Sequence, residues 1–159
     1  AYGYGLNMLS DSSAGLALLD SVSNGRCEVL SRSGQRHSLP RLLSHPNLFF
    51  WGDLDREGLR IALALRRSLP NLGLSALYAP MLALARDRET SHPYSEISGK
   101  SLQAPWVPTG NALVDRLARC CDHRAVDQEA LDISQHRHLA AQALDMKWFT
   151  TEVHNEPDS

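Results

Sequence analysis

The sequence predicts an α/β fold: a mainly parallel central sheet of about four strands with helices on both faces. Two patterns carry this expectation. Short apolar runs alternate with segments of helical period through residue 87, the order expected of a sheet fed by crossover helices. Residues 48–51, Leu-Phe-Phe-Trp, are continuously apolar, as in a strand covered on both faces. The chain of 159 residues is about one domain's worth and long enough to bury a core without staples.

The elements follow in order. Tyr2 to Leu9 reads as a first strand, ending in Ser10-Asp11-Ser12-Ser13, whose small polar side chains suit a helix cap. Ala14 to Val22 carries that helix and Asn24-Gly25 stops it. Cys27 to Leu30 is a second strand, leaving through Ser31-Arg32-Ser33-Gly34-Gln35, and Leu39 to Leu43 makes a brief helix or turn. The third strand is Leu48 to Trp51. After Gly58 the period changes: Ile61, Ala62, Leu65 and Leu69 form one apolar stripe, with Arg60 and Arg67 on another face. Pro70-Asn71 closes this helix, and Leu74 to Tyr78 is the fourth strand. Met81 to Asp87 looks helical, and residues 88–110 form a long connection rich in Ser, Pro and Gly. Two final helices are expected near Asn111–Cys121 and Asp127–Trp148. Residues 1–149 thus read as one domain, and 150–159 as a loose polar tail.

Composition narrows the function classes. The formal net charge is −2, so any nucleic-acid contact must come from a local basic patch or from other parts of an assembly. Of the three cysteines, Cys120 and Cys121 are adjacent and Cys27 is distant, which makes neither a disulfide framework nor a zinc motif. Reduced thiols in the cytoplasm are expected. No run approaches the ~18 apolar residues of a membrane span, and the start lacks a signal peptide's pattern. The chain opens at Ala1 inside an apparent strand, which suggests a piece of a longer protein.

The candidate site lies just past the third strand. Functional groups in such sheets collect beyond the carboxyl ends of strands. Asp53 and Asp55 follow Phe49-Phe50-Trp51, and in extended chain positions i and i+2 face the same way. Paired carboxylates repel unless a proton or cation intervenes. Magnesium suits them, because it takes hard oxygen ligands and keeps waters for a substrate phosphate. Gly52 and Gly58 leave room for a tight turn. On the motif alone, an ordinary turn with Asp55 capping the next helix is an equal alternative.

Residues 49–61, Phe-Phe-Trp-Gly-Asp-Leu-Asp-Arg-Glu-Gly-Leu-Arg-Ile, resemble the second acidic motif of Toprim domains. They are most similar to the C-terminal domains of the JetD family, the nuclease subunits of Wadjet anti-plasmid systems. Topoisomerase VI A subunits and the meiotic double-strand-break proteins carry related Toprim domains. Ser33-Gly34-Gln35 is similar to the family's turn after the second strand. Val126-Asp127-Gln128-Glu129-Ala130-Leu131 looks like the acidic helix start near the family's C-terminus.

The resemblance implies a Toprim-like domain that cleaves DNA phosphodiester bonds with Mg²⁺ or Mn²⁺. Asp53 and Asp55 would be catalytic and hold the metal. Asp11 falls where the family has a glutamate, keeping the charge on a shorter arm, and would be a further ligand or general acid/base; a helix cap is its other reading. Gly34, Gln35, Arg36 and Arg56 would meet phosphate, with Arg32 and His37 nearby. Glu57 and Glu129 are possible accessory groups. The implied partners are DNA, the other subunits of a larger complex and a second copy, so that both strands are cut. Topoisomerase relatives use a tyrosine on a separate domain, so a water nucleophile fits this chain better.

Two other functions compete. A haloacid dehalogenase-type phosphatase also ends a strand in Asp-x-Asp, but its motif continues differently and needs a lysine, for which only Lys100 and Lys147 are candidates. A degenerate Toprim-like module would sense DNA or serve structure without cleaving. His136 and His138 point about 200° apart on a helix, so solvated faces suit them better than a shared metal. Trp51, Trp106 and Trp148 read as packing residues, with base stacking a second option for Trp106.

Overall fold

The computed structural model describes residues 44–96 and 103–149. The strands expected at 2–9 and 27–30, Asp11, the turn at Gly34, Gln35 and Arg36, and the tail from 150 all lie outside these residues. The chain divides into two compact units, one holding residues 1–48 with 61–72, the other 49–60 with 73–159. In the first, the Asn71 side chain donates to the His45 carbonyl at 2.7 Å, and Leu72 N–H to the Leu69 carbonyl at 2.9 Å. Of the candidate site residues, Asp53, Asp55, Arg56, Glu57 and Glu129 belong to the second.

The described elements make a mixed α/β arrangement. Strand β1, Leu48–Phe50, pairs in parallel with β2, Leu72–Leu74, and helix α1, Arg56–Ser68, makes the crossover between them. Both β1 and α1 run across the boundary between the units. The residues of β1 are half-buried rather than enclosed on both faces. Helix α1 starts with an acidic first turn at Glu57 and ends with Arg66 and Arg67, matching its dipole. Its deepest positions are Leu59 and Ala62, with the rest of the expected stripe only partly covered.

The fourth predicted strand is shorter and earlier than its apolar residues suggest. β2 ends at Leu74 because Ser75 turns the chain: its Oγ accepts from Leu77 N–H at 3.2 Å, and its carbonyl accepts from Tyr78 N–H at 3.2 Å. Helix α2, Tyr78–Leu84, therefore begins three residues before its expected start. Pro80 fits because it lies in the first turn, where no intrahelical N–H is required. Tyr78, Met81 and Leu82 are the buried face.

The long connection contains β3, His92–Pro93, which pairs antiparallel with β4, Arg124–Ala125; His92 faces Ala125 and Pro93 faces Arg124. Arg124 fastens this ribbon through Ser91, its Nε reaching Ser91 Oγ at 2.7 Å and its Nη2 the Ser91 carbonyl. Helix α3, Ala112–Cys120, lies where predicted. Asn111 is its cap, accepting from Val114 N–H at 3.2 Å. Asp115 gathers the preceding turn, accepting from the Thr109 and Gly110 N–H groups and from Trp106 Nε1. These donors, Thr109 foremost, hold its carboxyl below the usual carboxylate range.

The helix expected over Asp127–Trp148 is instead a string of short turns. A 3-10 turn spans Gln128–Ala130, helix α4 spans Ile133–His136, and further 3-10 turns span Arg137–Leu139 and Met146–Phe149. Aspartates break the run by bonding to nearby backbone: Asp132 accepts from Ser134 N–H and Asp145 from Lys147 N–H, both at 2.9 Å. Two extended residues between the turns are used in pairing. Val126 bridges Leu54, and Ala143 bridges Ser75. The fold predicts that Asn111→Ala lowers stability by about 0.5–2 kcal/mol, read from urea unfolding, with α3 fraying first in hydrogen exchange.

Candidate functional site

The acidic turn begins where β1 has delivered the chain to Trp51. Leu54 is fully buried and exchanges backbone hydrogen bonds with Val126, at 2.9 and 3.2 Å. Extended backbone at Leu54 puts its side chain into the core and directs its neighbours, Asp53 and Asp55, the other way. Asp53 is half-buried, and its Oδ1 accepts from Gln128 N–H at 3.0 Å. The Leu54–Val126 bridge sets up that contact, since it brings the 126–130 segment alongside.

Asp55 is only 2% exposed. Its Oδ1 accepts from Gly58 N–H at 2.6 Å, the bond of a helix cap. Its Oδ2 accepts from Gln103 Nε2 at 2.9 Å. Gly58 is required here, because a Cβ would fall well inside contact distance of the Asp53 carbonyl oxygen and press on the Asp55 carboxylate at 3.3 Å. The capping alternative is thus realised, and the same carboxylate remains one of the pair.

Behind the turn stands Tyr78, fully buried. Among the described residues its hydroxyl has no hydrogen-bond partner. The Gly52 backbone N–H approaches that oxygen without making a regular hydrogen bond and opposes the rise in its pKa. Burial, with the nearby Asp53 and Asp55 charges adding to it, pushes the phenol's pKa well above the ordinary tyrosine value.

Arg56 does not face solvent. It forms an ion pair with Asp122 at 3.2 Å, its Nη2 donates to the Asp122 carbonyl at 2.6 Å, and its guanidinium lies 4.4 Å from the Tyr94 ring centre. The Tyr94 hydroxyl accepts from Arg56 N–H at 3.2 Å and donates to the Cys121 carbonyl at 2.8 Å. Burial raises the Cys121 thiol to about 12, which leaves it protonated and unreactive at neutral pH. Glu57 is half-buried and pairs with Arg60 at 3.5 Å. Glu129 is exposed, in the 3-10 turn beside Gln128, which donates to it at 3.3 Å.

Among the described residues no group of three His, Cys, Asp or Glu side chains is placed to hold a metal ion. Magnesium would ask less, taking one or two carboxylates from a protein and completing its shell with water and phosphate, and Asp53 and Asp55 are the residues of this turn whose oxygen chemistry would suit it. His123 and His138 are exposed and His136 half-buried. Lys147 is exposed and pairs with Asp145 at 2.9 Å, so it supplies no phosphatase-type lysine to this turn. No helix among the described residues is long and apolar enough to cross a membrane.

Gln103, Tyr78, Tyr94 and Asp122 escaped the sequence reading. A lone glutamine in a Ser/Pro-rich connection carries no local signal, and Tyr78 reads equally well as the end of a strand.

A pair of carboxylates past the end of a parallel strand, one buried and one half-buried, held by segments far apart in sequence, defines an α/β domain with an acidic turn. Residues 31–139, more than half of the chain, match the family described as Wadjet protein JetD, C-terminal, and the chain belongs to that family. Membership makes it a component of the multi-subunit Wadjet anti-plasmid systems. No curated protein and no solved structure gave a significant match.

The orphaned hydroxyl makes a sharp test of packing against function. Tyr78→Phe removes a buried group without a partner, so stability should hold or rise by about 1 kcal/mol in chemical denaturation. A loss of more than about 1 kcal/mol would mean that the hydroxyl is bonded in the folded protein.

Proposed function

We propose that this domain is the Mg²⁺- or Mn²⁺-dependent DNA endonuclease of its Wadjet system, Toprim-like in fold, with Asp53 and Asp55 as metal ligands. The observation that supports it most is the anchoring of both carboxylates by neutral donors, Gln128 N–H on one and Gly58 N–H and Gln103 on the other. Such bonds orient the two carboxylates, as a cation site requires of its ligands.

A bound divalent ion would polarise the scissile phosphate and lower the pKa of a water. The chain's own residues do the rest. Asp53 and Asp55 hold fixed oxygen ligands. Asp11, on the segment preceding the described residues, would add a ligand or accept the proton of the attacking water. Gly34, Gln35 and Arg36 would meet the DNA backbone. Arg56 is better suited to holding α1 against Asp122 than to phosphate, since its Nη2 is already engaged there. Two copies acting together would cut both strands.

The test uses the intact protein with its partner subunits, plasmid DNA and Mg²⁺ or Mn²⁺. Wild type should nick or linearise the plasmid. Asp55→Asn keeps a capping oxygen for Gly58 N–H but removes the charge and sets an NH₂ group against Gln103 Nε2, so it should lower cleavage by about 10²–10³-fold, the worth of several kcal/mol, with circular dichroism checking that the variant is folded. Asp53→Asn should behave alike. Hydrolysis of a small aryl phosphate without DNA cleavage would point to a phosphatase. Inactivity of wild type on both substrates would point to a non-catalytic module.

A companion pair addresses Asp11. Asp11→Glu should keep or raise cleavage while Asp11→Ala lowers it. A pure cap would instead lose about 0.5–2 kcal/mol of stability on Asp11→Ala, with cleavage by the folded protein unchanged.

A further inference from the structure

We infer that Gln103 is the positioning residue of the acidic site, setting the plane of the Asp55 carboxylate through a contact that also docks the 103–109 segment on the start of α1. The inference rests on the metal-site reading above. It begins with the direction of the amide. Glu57 N–H can only donate, and it reaches Gln103 Oε1 at 3.0 Å. That bond forces the amide's NH₂ group to the other side, where Nε2 donates to Asp55 Oδ2 at 2.9 Å. One side chain thus satisfies a helix-start N–H that has no intrahelical acceptor and a buried carboxylate oxygen together.

The segment carrying Gln103 is held by further contacts to the same helix turn. Arg60 Nη2 donates to the Ala104 carbonyl at 2.6 Å and the Pro105 carbonyl at 3.1 Å, and its guanidinium lies 5.8 Å from the Trp106 ring centre. Trp106 Nε1 donates to Asp115 Oδ1 at 3.0 Å, which ties the far end to α3. Arg56 Nη1 approaches the Gln103 carbonyl at 3.4 Å. With its backbone fixed at both ends, Gln103 has little freedom to leave Asp55.

With Oδ1 bound by Gly58 and Oδ2 by Gln103, the carboxylate cannot rotate about its Cβ–Cγ bond without losing a hydrogen bond. The plane of the carboxylate is thereby fixed. Outer partners of this kind orient the groups that touch a metal.

Two substitutions of similar size separate this role from simple docking. Gln103→Glu keeps the acceptor for Glu57 N–H but sets a second anion against Asp55. Gln103→Met fills the same space with no donor or acceptor. Mn²⁺ binding to the intact chain is measured by calorimetry, with circular dichroism to confirm folding. If Gln103 positions Asp55, Gln103→Met should weaken Mn²⁺ binding by about 10-fold or more, and Gln103→Glu, which keeps the docking bond but loses the donor to Asp55, should not restore wild-type affinity; full affinity in Gln103→Glu would leave docking as the residue's role. Plasmid cleavage should fall in Gln103→Met. Equal Mn²⁺ affinity in wild type and both variants, with Asp55→Asn abolishing binding, overturns the role of Gln103 alone. Binding that survives Asp55→Asn overturns the metal site itself.

Discussion

The second unit is organised around a hydrogen bond that only glycine permits. Asp55 Oδ1 meets Gly58 N–H at 2.6 Å because no Cβ stands between the turn and the Asp53 carbonyl. That closure starts α1 abruptly after Leu54, and the start fixes the directions of the next side chains. Arg56 is sent toward Tyr94 and Asp122, Arg60 toward the 104–106 backbone, and Glu57 N–H toward Gln103. A single tight turn therefore collects segments from residues 94, 103–106 and 121–122 around one carboxylate. Burying that carboxylate costs free energy unless donors replace its water, and here the donors are also the groups that hold the turn together.

Capping and metal binding are usually treated as alternatives for an aspartate in this position. On general grounds the two are compatible. A cap takes one lone pair of one oxygen, and a carboxylate has about four. What the cap contributes is order: an anion with two hydrogen bonds presents its remaining lone pairs in fixed directions, which a flexible surface aspartate does not. Asp55 is ordered in this way by Gly58 and Gln103, and Asp53 is tied to Gln128 N–H across the Leu54–Val126 bridge. The arrangement suits a JetD-family chain, in which the acidic turn and the segment around Gln128 fall within the matched residues.

The basic residues show the converse. Arg56 follows the acidic pair directly and looks, on paper, like a phosphate contact. In the fold it stacks on Tyr94 and pairs with Asp122, holding the helix start to the end of α3. An arginine's planar fork suits such partly buried pairing as well as it suits phosphate, and only the neighbours decide between them.

Sequence by itself determined β1, the turn after it, the crossover helix and α3, because each rests on local rules: a continuous apolar run, carboxylates beside glycine, a 3.6-residue stripe, and Asn111 at a cap. It also determined the family, since the acidic run is distinctive over a dozen residues. It misjudged the end of β2 and the 127–148 region, where serine and aspartate side chains competed for the backbone against the apolar pattern. The partners of the acidic pair were beyond its reach. Gln103 lies 48 residues from Asp55 and carries no mark in the chain itself; Gln128 lies 75 from Asp53, and the family-like run 126–131 around it does not say that its backbone N–H meets that carboxylate. Their roles were decided only by tertiary structure, because a hydrogen bond to a buried carboxylate depends on which segments the fold brings within about 3 Å, and spacing along the chain does not encode that distance.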